Sequence, residues 1–513
     1  MSFGIHLGTL DWLILLGYVA LLSSIGFWAA RRAKKTTDDY FLAGRSIPSF
    51  VTWASFVATC LSAVTFIGSP AEGYSSDFRF LLSNPGDIAA TFFIAYVFLP
   101  HFQKLKVTSI YEAISIRFGN SVRSLCSGYF LVTRLLASTV RVVAIAKVLE
   151  VVSAGGLSYA ACVVIVVGVV LCYATLGGGR AIAWTDLLQF ILLIGGALAA
   201  LIYIVFHVPG GVDGIIEVGR HAVRPDGTVY NKFNFLDLFS HANFGILCLM
   251  ILWGFFNSSA SYGTDQDMVQ RLLACRDEKG ARLSLIFWGL SSVPIVFLFL
   301  SIGASLYAYA QFHPAFVFGM KDPDHVFPRF ILTVMPSGLR GLLLAAVASA
   351  AMGSADSAMA ALSTAFIMDF YRPFINPVAS QKEMVKVSKL SFFIFGIFFI
   401  VFALIFRRLD NLLWLAFRIT AFTYGPLLGL FSIAILTQWN IKGSRLVFLA
   451  GTSTAALGSL AMIAWLKTIQ GAHGFWQALH QTYWPLYVVC GTLFVFLGAY
   501  LLKESSSGDL KSS

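Results

Sequence analysis

Asp356 is a carboxylate inside a long stretch of small and apolar residues, where a charge needs a chemical reason. It follows Ala350, Gly353 and Ser354, which share one helical face, and it precedes Ser357. An unpaired carboxylate in such surroundings is costly, so Asp356 should face a cation, a proton or a basic side chain. Hydroxyl and carboxylate oxygens together are the hard ligands that small alkali cations need. The pattern predicts cation or proton binding, and a structural hydrogen-bond network is the alternative.

A second acid, Asp186, follows a glycine-rich segment at 177–179 and opens another apolar stretch. The three glycines predict a tight turn before it. A carboxylate near a helix N-terminus is also favoured as a cap, so capping competes with ion binding as the explanation for Asp186.

Basic residues also stand inside apolar stretches. Arg141 lies seven residues after Arg134, hence on the same helical face. A guanidinium group can hold a carboxylate through two parallel hydrogen bonds, and that carboxylate can belong to a ligand or to the protein. Arg418 is similarly deep in its stretch, and we expect it to form a structural or gating pair.

The composition explains why each charge inside an apolar stretch is informative. Of the 513 residues, 58% are hydrophobic and only 12% are charged, about half the charged share of a typical soluble domain. A soluble enzyme and a nucleic-acid-binding protein are therefore excluded, despite the formal net charge of +11. The seven cysteines fall mostly inside apolar runs and indicate no disulfide framework.

Apolar runs long enough to cross a bilayer of about 30 Å recur along the chain. They predict about thirteen transmembrane helices, the first of them retained rather than cleaved. The predicted spans are 10–30, 48–72, 86–103, 121–151, 157–176, 183–207, 243–263, 282–311, 340–370, 388–407, 411–437, 445–467 and 482–502.

Most of the 36 Lys and Arg residues fall in loops on one side of these helices. By the positive-inside rule that side is cytoplasmic, which places the N-terminus outside and the C-terminus inside. The longer loops at 208–242 and 311–339 then face outward, as gates or as simple connectors.

The predicted span 48–72 has a polar break in its middle, with Thr59, Ser62, Thr65 and Gly68 among apolar neighbours. This is typical of a membrane helix that unwinds and exposes backbone carbonyls. Hydroxyl groups that bond back to the preceding turn are the simpler alternative.

Several segments together resemble the sodium:solute symporter family, in order over residues 39–430. A Gly-Thr-Asp-Gln stretch followed by Val-Gln-Arg is a specific motif, whereas the small-residue helix alone is not. The matching segments are Asp39-Tyr40-Phe41-Leu42-Ala43-Gly44-Arg45, Leu61-Ser62-Ala63-Val64-Thr65-Phe66-Ile67-Gly68, Tyr173 with Gly177-Gly178, Trp184-Thr185-Asp186 with Gln189, Gly263-Thr264-Asp265-Gln266 with Val269-Gln270-Arg271, Met368-Asp369-Phe370-Tyr371 and Tyr424-Gly425-Pro426-Leu427-Leu428-Gly429.

The resemblance implies an all-α polytopic membrane protein with a LeuT-type core of two five-helix inverted repeats. Solute and ions would bind near the bilayer midplane between broken helices. The implied division is an N-terminal extra helix and cytoplasmic loop (1–47), the first repeat (48–207), an extracellular connector (208–242), the second repeat (243–437), and two C-terminal helices with a short cytoplasmic tail (438–513).

The resemblance also implies sodium ligands. The site common to the family corresponds to Ala58, Leu61, Ala350, Gly353 and Ser354, and Gly353 replaces a residue that usually carries a hydroxyl. A second site, present in some members, corresponds to Asp186, Asp356 and Ser357. Asp356 stands where the family has a neutral hydroxyl, so two acids would share one cation site or one of them would be protonated. We expect one or two coupled sodium ions, with a modified stoichiometry or a proton contribution.

For the solute, the binding pattern resembles that of the sialic-acid and monocarboxylate members. The corresponding residues are Ser62, Thr65, Arg141, Phe80 and Asn84. By this resemblance Arg141 would bind a solute carboxylate, while Thr65 stands where the sugar symporters have a glutamine.

The sequence therefore predicts a sodium-coupled symporter that imports a small polar solute by alternating access, and the resemblance implies a solute with a carboxylate, such as sialic acid or a monocarboxylate. A proton-coupled or mixed symporter for a neutral sugar is the alternative. A multi-pass membrane enzyme is disfavoured, since no Ser-His-Asp or metal-ligand spacing is present. The expected partners are the solute, sodium ions and the lipid bilayer of the cell membrane, with no nucleic acid and no obligate protein partner.

Overall fold

The computed structural model describes residues 7–32, 36–153, 156–224, 227–233, 244–320, 322–408, 412–469 and 485–504. Part of the predicted extracellular connector, 234–242, and the tail from residue 505 lie outside the described residues. The described chain is helical almost throughout.

Nineteen α-helices are described, together with a single two-stranded β-hairpin. The helices are α1 (Thr9–Arg32), α2 (Thr37–Leu42), α3 (Ser49–Cys60), α4 (Ala63–Ser75), α5 (Asn84–Phe93), α6 (Leu99–Leu105), α7 (Ile110–Phe118), α8 (Asn120–Val152), α9 (Tyr159–His207), α10 (Gly211–Arg220), α11 (Phe244–Thr264), α12 (Gln266–Leu273), α13 (Glu278–Phe312), α14 (Val326–Thr333), α15 (Leu339–Phe366), α16 (Gln381–Ile405), α17 (Leu412–Leu436), α18 (Gly443–Ile469) and α19 (Leu486–Leu502).

Short turns of other helix types join or extend these elements. The 3₁₀ turns are Ala43–Arg45, Phe78–Ser83, Pro314–Val317, Pro323–His325 and Phe406–Arg408, and the π-helical turns are Ile94–Phe98 and Ile367–Ile375. The hairpin consists of β1 (Ala222–Val223) paired antiparallel with β2 (Val229–Tyr230).

Within the described residues, nine helices are long and apolar enough to cross a membrane, and α3 with α4 makes a tenth span if the two are counted together. Shorter apolar helices at Tyr159–Thr175 and Leu486–Leu502, and the apolar α11, occupy the remaining predicted positions. The prediction of an all-α polytopic membrane protein is confirmed.

The predicted break in the span 48–72 is present. Helix α3 ends at Cys60, α4 begins at Ala63, and the two halves are bent by 58°. Ser62 has extended backbone angles and precedes the first residue of α4. The simpler alternative also occurs, since the Thr59 hydroxyl donates to the Ser55 carbonyl at 2.9 Å. That bond lies within α3 and does not account for the bend.

The predicted glycine turn is a kink at Gly178, where two helical arms of α9 meet. Gly178 has φ of +57°, and a Cβ atom there would lie 2.4 Å from the Tyr40 carbonyl oxygen. Only glycine fits a left-handed position that is so close to another backbone. The two predicted spans on either side, 157–176 and 183–207, are therefore the two arms of α9.

Helix α15 is the centre of the bundle. Nearly all its residues from Gly341 to Ala365 are buried, and it packs against α8, α9 and α1. Its Ala, Gly and Ser residues allow these helices to approach closely. Peripheral helices α1, α13 and α16 instead expose large apolar side chains, such as Leu16, Phe287 and Ile397, as lipid-facing helices do.

The two long segments that were predicted to face outward contain more structure than plain connectors. The first includes α10 and the hairpin, and the second includes α14 with 3₁₀ turns on its N-terminal side. The first segment is attached to the end of α4 through Lys232, whose Nζ donates to the Tyr74 carbonyl at 2.7 Å and to the Ser76 carbonyl at 2.9 Å.

Candidate functional site

A cavity of about 200 Å³ lies beside the break between α3 and α4. Residues of α5, α8, α11, α13 and α17 complete its wall. The structure brings together all five predicted solute-contacting residues in this wall, although they are far apart in sequence. They are Ser62, Thr65, Phe80, Asn84 and Arg141.

Arg141 and Arg134 both line this cavity, but their surroundings differ. Arg134 Nη1 lies 3.3 Å from Asp265 Oδ2, and its Nη2 contacts Asp267. Arg141 Nε and Nη1 are buried and make no hydrogen bond within the described part of the chain. Arg134 therefore already lies against two carboxylates, whereas these two buried atoms of Arg141 lack an acceptor, which is costly, so Arg141 is the better placed of the two to bind a ligand.

The cavity also contains polar residues that the sequence did not single out. Asp87 is buried, and its Oδ1 accepts a hydrogen bond from the Tyr262 hydroxyl at 2.8 Å. Ser292 is another, and its hydroxyl accepts a hydrogen bond from Nδ2 of the predicted residue Asn84 at 2.9 Å. Further polar lining comes from Asn257, Ser258 and Ser261 of α11. Asp87 was overlooked because it stands in the first turn of α5, where an acid is expected for helix stability alone.

The residues of the first predicted sodium site lie on two neighbouring helices. Ala58 and Leu61 are at the C-terminal end of α3, while Ala350, Gly353 and Ser354 are on α15, which packs against α3. All five residues are buried, and Ala58, Leu61, Ala350 and Ser354 are at most 2% exposed. The last carbonyls of a helix have no intrahelical partner, so the break leaves backbone oxygens of α3 free for a ligand.

The residues of the second predicted sodium site have protein partners. Asp186 Oδ2 accepts from the Ser55 hydroxyl at 2.5 Å and from Arg271 Nη2 at 3.3 Å, while its Oδ1 has no partner in the described residues. Asp186 lies eight residues after the kink at Gly178 and bonds to side chains of α3 and α12, so these bonds do not make it a helix cap.

The other two members of that predicted site also have partners. Asp356 Oδ2 accepts from the Tyr173 hydroxyl at 2.5 Å. The Ser357 hydroxyl lies 3.3 Å from Asp267 Oδ2. The two acids thus contact different helices rather than each other.

A continuous set of charged groups joins the solute cavity to these acids. Asp267 contacts Arg134 on one side and Arg271 on the other, and Arg271 contacts Asp186. Around the cavity and this set, five carboxylates face three guanidinium groups. Such an excess of buried carboxyl groups favours either a bound cation or protonation of one of the acids. The residues of the carboxylate set are Asp87, Asp186, Asp265, Asp267 and Asp356, and those of the guanidinium set are Arg134, Arg141 and Arg271.

Arg418 was predicted to form a structural or gating pair, but its Nε makes no hydrogen bond within the described part of the chain. Nothing in its contacts assigns it to the cavity or to the ion-binding residues.

A broken helix beside a central polar cavity, inside a bundle of membrane-spanning helices, defines a secondary transporter of the LeuT type. The sodium:solute symporter family model matches residues 40–451, which is most of the chain. The protein belongs to this family and is a sodium-coupled symporter.

Individual relatives are similar along most of their length. The chain is 29% identical over 454 residues to the sodium/sialic acid symporter SiaT of Proteus mirabilis, covering 88% of this chain and 90% of that one. It is 31% identical over 462 residues to the sodium-coupled monocarboxylate transporter 2 of Mus musculus, covering 88% of this chain and 72% of that one.

A solved structure of a Na⁺-coupled sialic acid symporter, substrate-bound and outward-open, has the same fold. Its TM-score to this chain is 0.81 at 27% identity, and the match covers 97% of this chain and 99% of that one. The predicted LeuT-type architecture is therefore confirmed.

Proposed function

We propose that this protein imports a small solute with a carboxylate group together with sodium, and that Arg141 binds the carboxylate. The observation that carries this proposal is the state of Arg141. Its side chain lines the central cavity, and its Nε and Nη1 are buried with no hydrogen-bond partner within the described residues. A solute carboxylate would give this guanidinium the acceptor that it lacks.

The chemistry of the cavity favours an acid that also carries several hydroxyl or amide groups. Most of its other polar residues are neutral hydrogen-bonding side chains, with Ser62 and Thr65 at the helix break and Asn257 and Ser261 on α11. A short, mainly apolar monocarboxylate would leave these groups unpaired, which disfavours it. A sialic acid or a similar hydroxylated sugar acid fits better, in line with the relatives that transport sialic acid.

For sodium, we propose ligands from the carbonyls of Ala58 and Leu61 and from the α15 residues Ala350, Gly353 and Ser354. We propose a second cation position near Asp186, Asp356 and Ser357. The support is the burial of these oxygens and the excess of carboxylates around them. Because Asp186 already pairs with Arg271, the second position would be weaker than the first.

We further propose that the core consists of inverted repeats at 48–207 and 243–437, between the extra helices at 1–47 and 438–513. The distribution of basic residues supports an outer N-terminus, an inner C-terminus and insertion in the cytoplasmic membrane. The exposed apolar side chains of the peripheral helices support lipid as the main partner. We expect no obligate protein partner and no catalytic activity.

Uptake into proteoliposomes tests the proposal. Labelled sialic acid, a short monocarboxylate and a neutral hexose are supplied under an inward sodium gradient, with choline replacing sodium as the control and with external pH varied. We expect sodium-dependent accumulation of the sugar acid. Full uptake in choline that follows an inward proton gradient would instead favour the proton-coupled alternative, and accumulation of the hexose alone would contradict the role of Arg141.

A further inference from the structure

Gly353 on α15 lies directly against the side chain of Gln189 on α9. A Cβ atom at residue 353 would be 1.9 Å from Gln189 Oε1 and 3.3 Å from Asp186 Oδ1. The first distance is far below any allowed contact, so a side chain at 353 and Gln189 in its present position exclude each other. The Gln189 amide therefore occupies the space that a side chain at 353 would fill.

The Gln189 side chain lacks the partners that a buried amide needs. It is 0% exposed, and neither Oε1 nor Nε2 makes a hydrogen bond of normal geometry within the described residues. The Tyr18 hydroxyl, on α1, is close enough to interact with the amide, but it too is without such a bond. An amide buried in this way is unfavourable unless a further group binds there.

The free oxygens near Gly353 converge on one turn of α15. Gln189 Oε1 and Asp186 Oδ1 both lie next to Gly353, and both are without a hydrogen-bond partner in the described chain. Ser354, the next residue, directs its hydroxyl to the Ala350 carbonyl at 2.9 Å on the same turn. Carbonyl, carboxylate and hydroxyl oxygens together form a donor set suited to a hard monovalent cation.

We infer that Gln189 Oε1 is a ligand of the sodium ion bound at this turn of α15, and that the missing side chain of Gly353 admits it. This inference rests on the proposed sodium site at Ala350, Gly353 and Ser354. It adds a ligand from α9, so that sodium joins α9 to α15 directly. A hydroxyl side chain at 353 and the Gln189 amide are then alternative ways to supply the same oxygen.

The test measures sodium binding to the purified full-length protein through sodium-dependent thermal stabilisation, and sodium activation of uptake in proteoliposomes. Gln189→Met keeps the length of the side chain and removes the oxygen. It should raise the sodium concentration for half-maximal effect about tenfold or more, as the loss of a group that supports a metal site does. Gln189→Glu keeps an oxygen in place and should retain sodium binding, which also shows that the site folds.

Gly353→Ser should weaken sodium binding similarly, because the serine side chain and the full-length Gln189 side chain cannot both fit and neither oxygen is then well placed. Combining Gly353→Ser with Gln189→Ala should restore sodium affinity to within about threefold of wild type, since the serine hydroxyl then fills the vacated space. Tyr18→Phe is the control for a purely structural pairing and should leave sodium affinity unchanged.

Wild-type sodium affinity in Gln189→Met, an equal loss in Tyr18→Phe, or no recovery in the double variant would overturn the inference. Ser354→Ala shows whether such a result rejects only the role of Gln189 or the whole sodium site. If wild type is stabilised by sodium and Ser354→Ala is not, the sodium site on α15 is supported, and only the role of Gln189 as a ligand is rejected. If wild type shows no response, the proposed sodium site itself is rejected.

Discussion

Arg271 of α12 and Asp186 of α9 form a buried ion pair, with Nη2 3.3 Å from Oδ2, and Ser55 of α3 bonds to both side chains. Three helices therefore meet at one carboxylate next to the proposed sodium ligands. The pair gives Asp186 a positive partner that belongs to the protein, so a cation has to share this acid with Arg271.

Removing Arg271 should destabilise the protein and strengthen the demand for a cation. Arg271→Met leaves Asp186 with only the Ser55 hydroxyl on Oδ2, and breaking a buried pair in this way costs about 3–5 kcal/mol. We expect a lower unfolding temperature in choline than for wild type, and a larger rise when sodium is added. Thermal unfolding in both salts measures this effect.

The matched control is Arg271→Met combined with Asp186→Asn, which removes both charges of the pair. Part of the lost stability should return, while the enhanced response to sodium should disappear. An equal sodium response in the single and double variants would contradict the idea that sodium and Arg271 compete for Asp186.

Arg141→Ala should abolish uptake without removing sodium binding. The side chain lines the solute cavity and takes no part in the described contacts of Asp186 or Ser354, so only the solute loses its anchor. Arg141→Lys should restore uptake only partly, because an ammonium group cannot hold a carboxylate through two parallel bonds. Uptake and sodium-dependent thermal stabilisation are measured side by side, and unchanged solute affinity in Arg141→Ala would reject the role.

Asp87→Asn should alter the choice of solute more than the affinity for sodium. The Asp87 carboxylate accepts from Tyr262 and faces the same cavity as Arg141. It can accept a hydrogen bond from a solute hydroxyl or amide, and a charged acceptor contributes about 1.5–3 kcal/mol to such a bond. We expect about a tenfold weaker affinity for a hydroxylated acid and a smaller change for a short monocarboxylate. Competition uptake assays compare the two solutes, with Tyr262→Phe testing whether the loss comes only from the Tyr262 bond.

The sequence predicted the helices well because length and apolarity determine a membrane span almost alone. It also located the break at Ser62, since hydroxyl groups and glycine are unusual inside such a span. Arg141 could be found for the same reason, as a charge in an apolar run. These signals come from residues that are close together in the sequence, so they can be recognised without any information on tertiary contacts.

Partners across helices could not be predicted in this way. The pairing of Asp186 with Arg271, 85 residues away in sequence, was not anticipated, and the predicted sharing of a cation with Asp356 stays a prediction. Gln189 was seen only as part of a motif, because its contact with Gly353 exists only once α9 lies against α15. Spacing shows which residues share a helical face, but it does not show which helix that face meets.

Lys232 is a further buried charge with a testable consequence, and it lies in the proposed extracellular connector. Its Nζ donates to the Tyr74 and Ser76 carbonyls at the end of α4 and to the Tyr230 hydroxyl at 2.9 Å. Burial lowers the pKa of Lys232 from 10.5 to about 7, although Asp77 and Glu72 partly oppose this change. Burial also raises the pKa of Tyr230 to about 12, so that neighbour stays protonated through neutral and mildly alkaline pH.

The stability that depends on Lys232 should therefore rise with pH. Below about pH 7 the lysine is charged in both folded and unfolded protein, and the cost of its burial is fully present. Between about pH 7 and 10.5 the unfolded protein binds more protons than the folded protein, so stability increases with pH over this window.

The unfolding temperature of wild type minus that of Lys232→Met should grow from pH 6.5 to pH 9.5, because methionine keeps the length but does not titrate. Lys279→Met, at an exposed lysine of α13, is the control and should give a constant difference. A constant difference for Lys232→Met as well would show that Lys232 keeps its proton in the folded protein across this range.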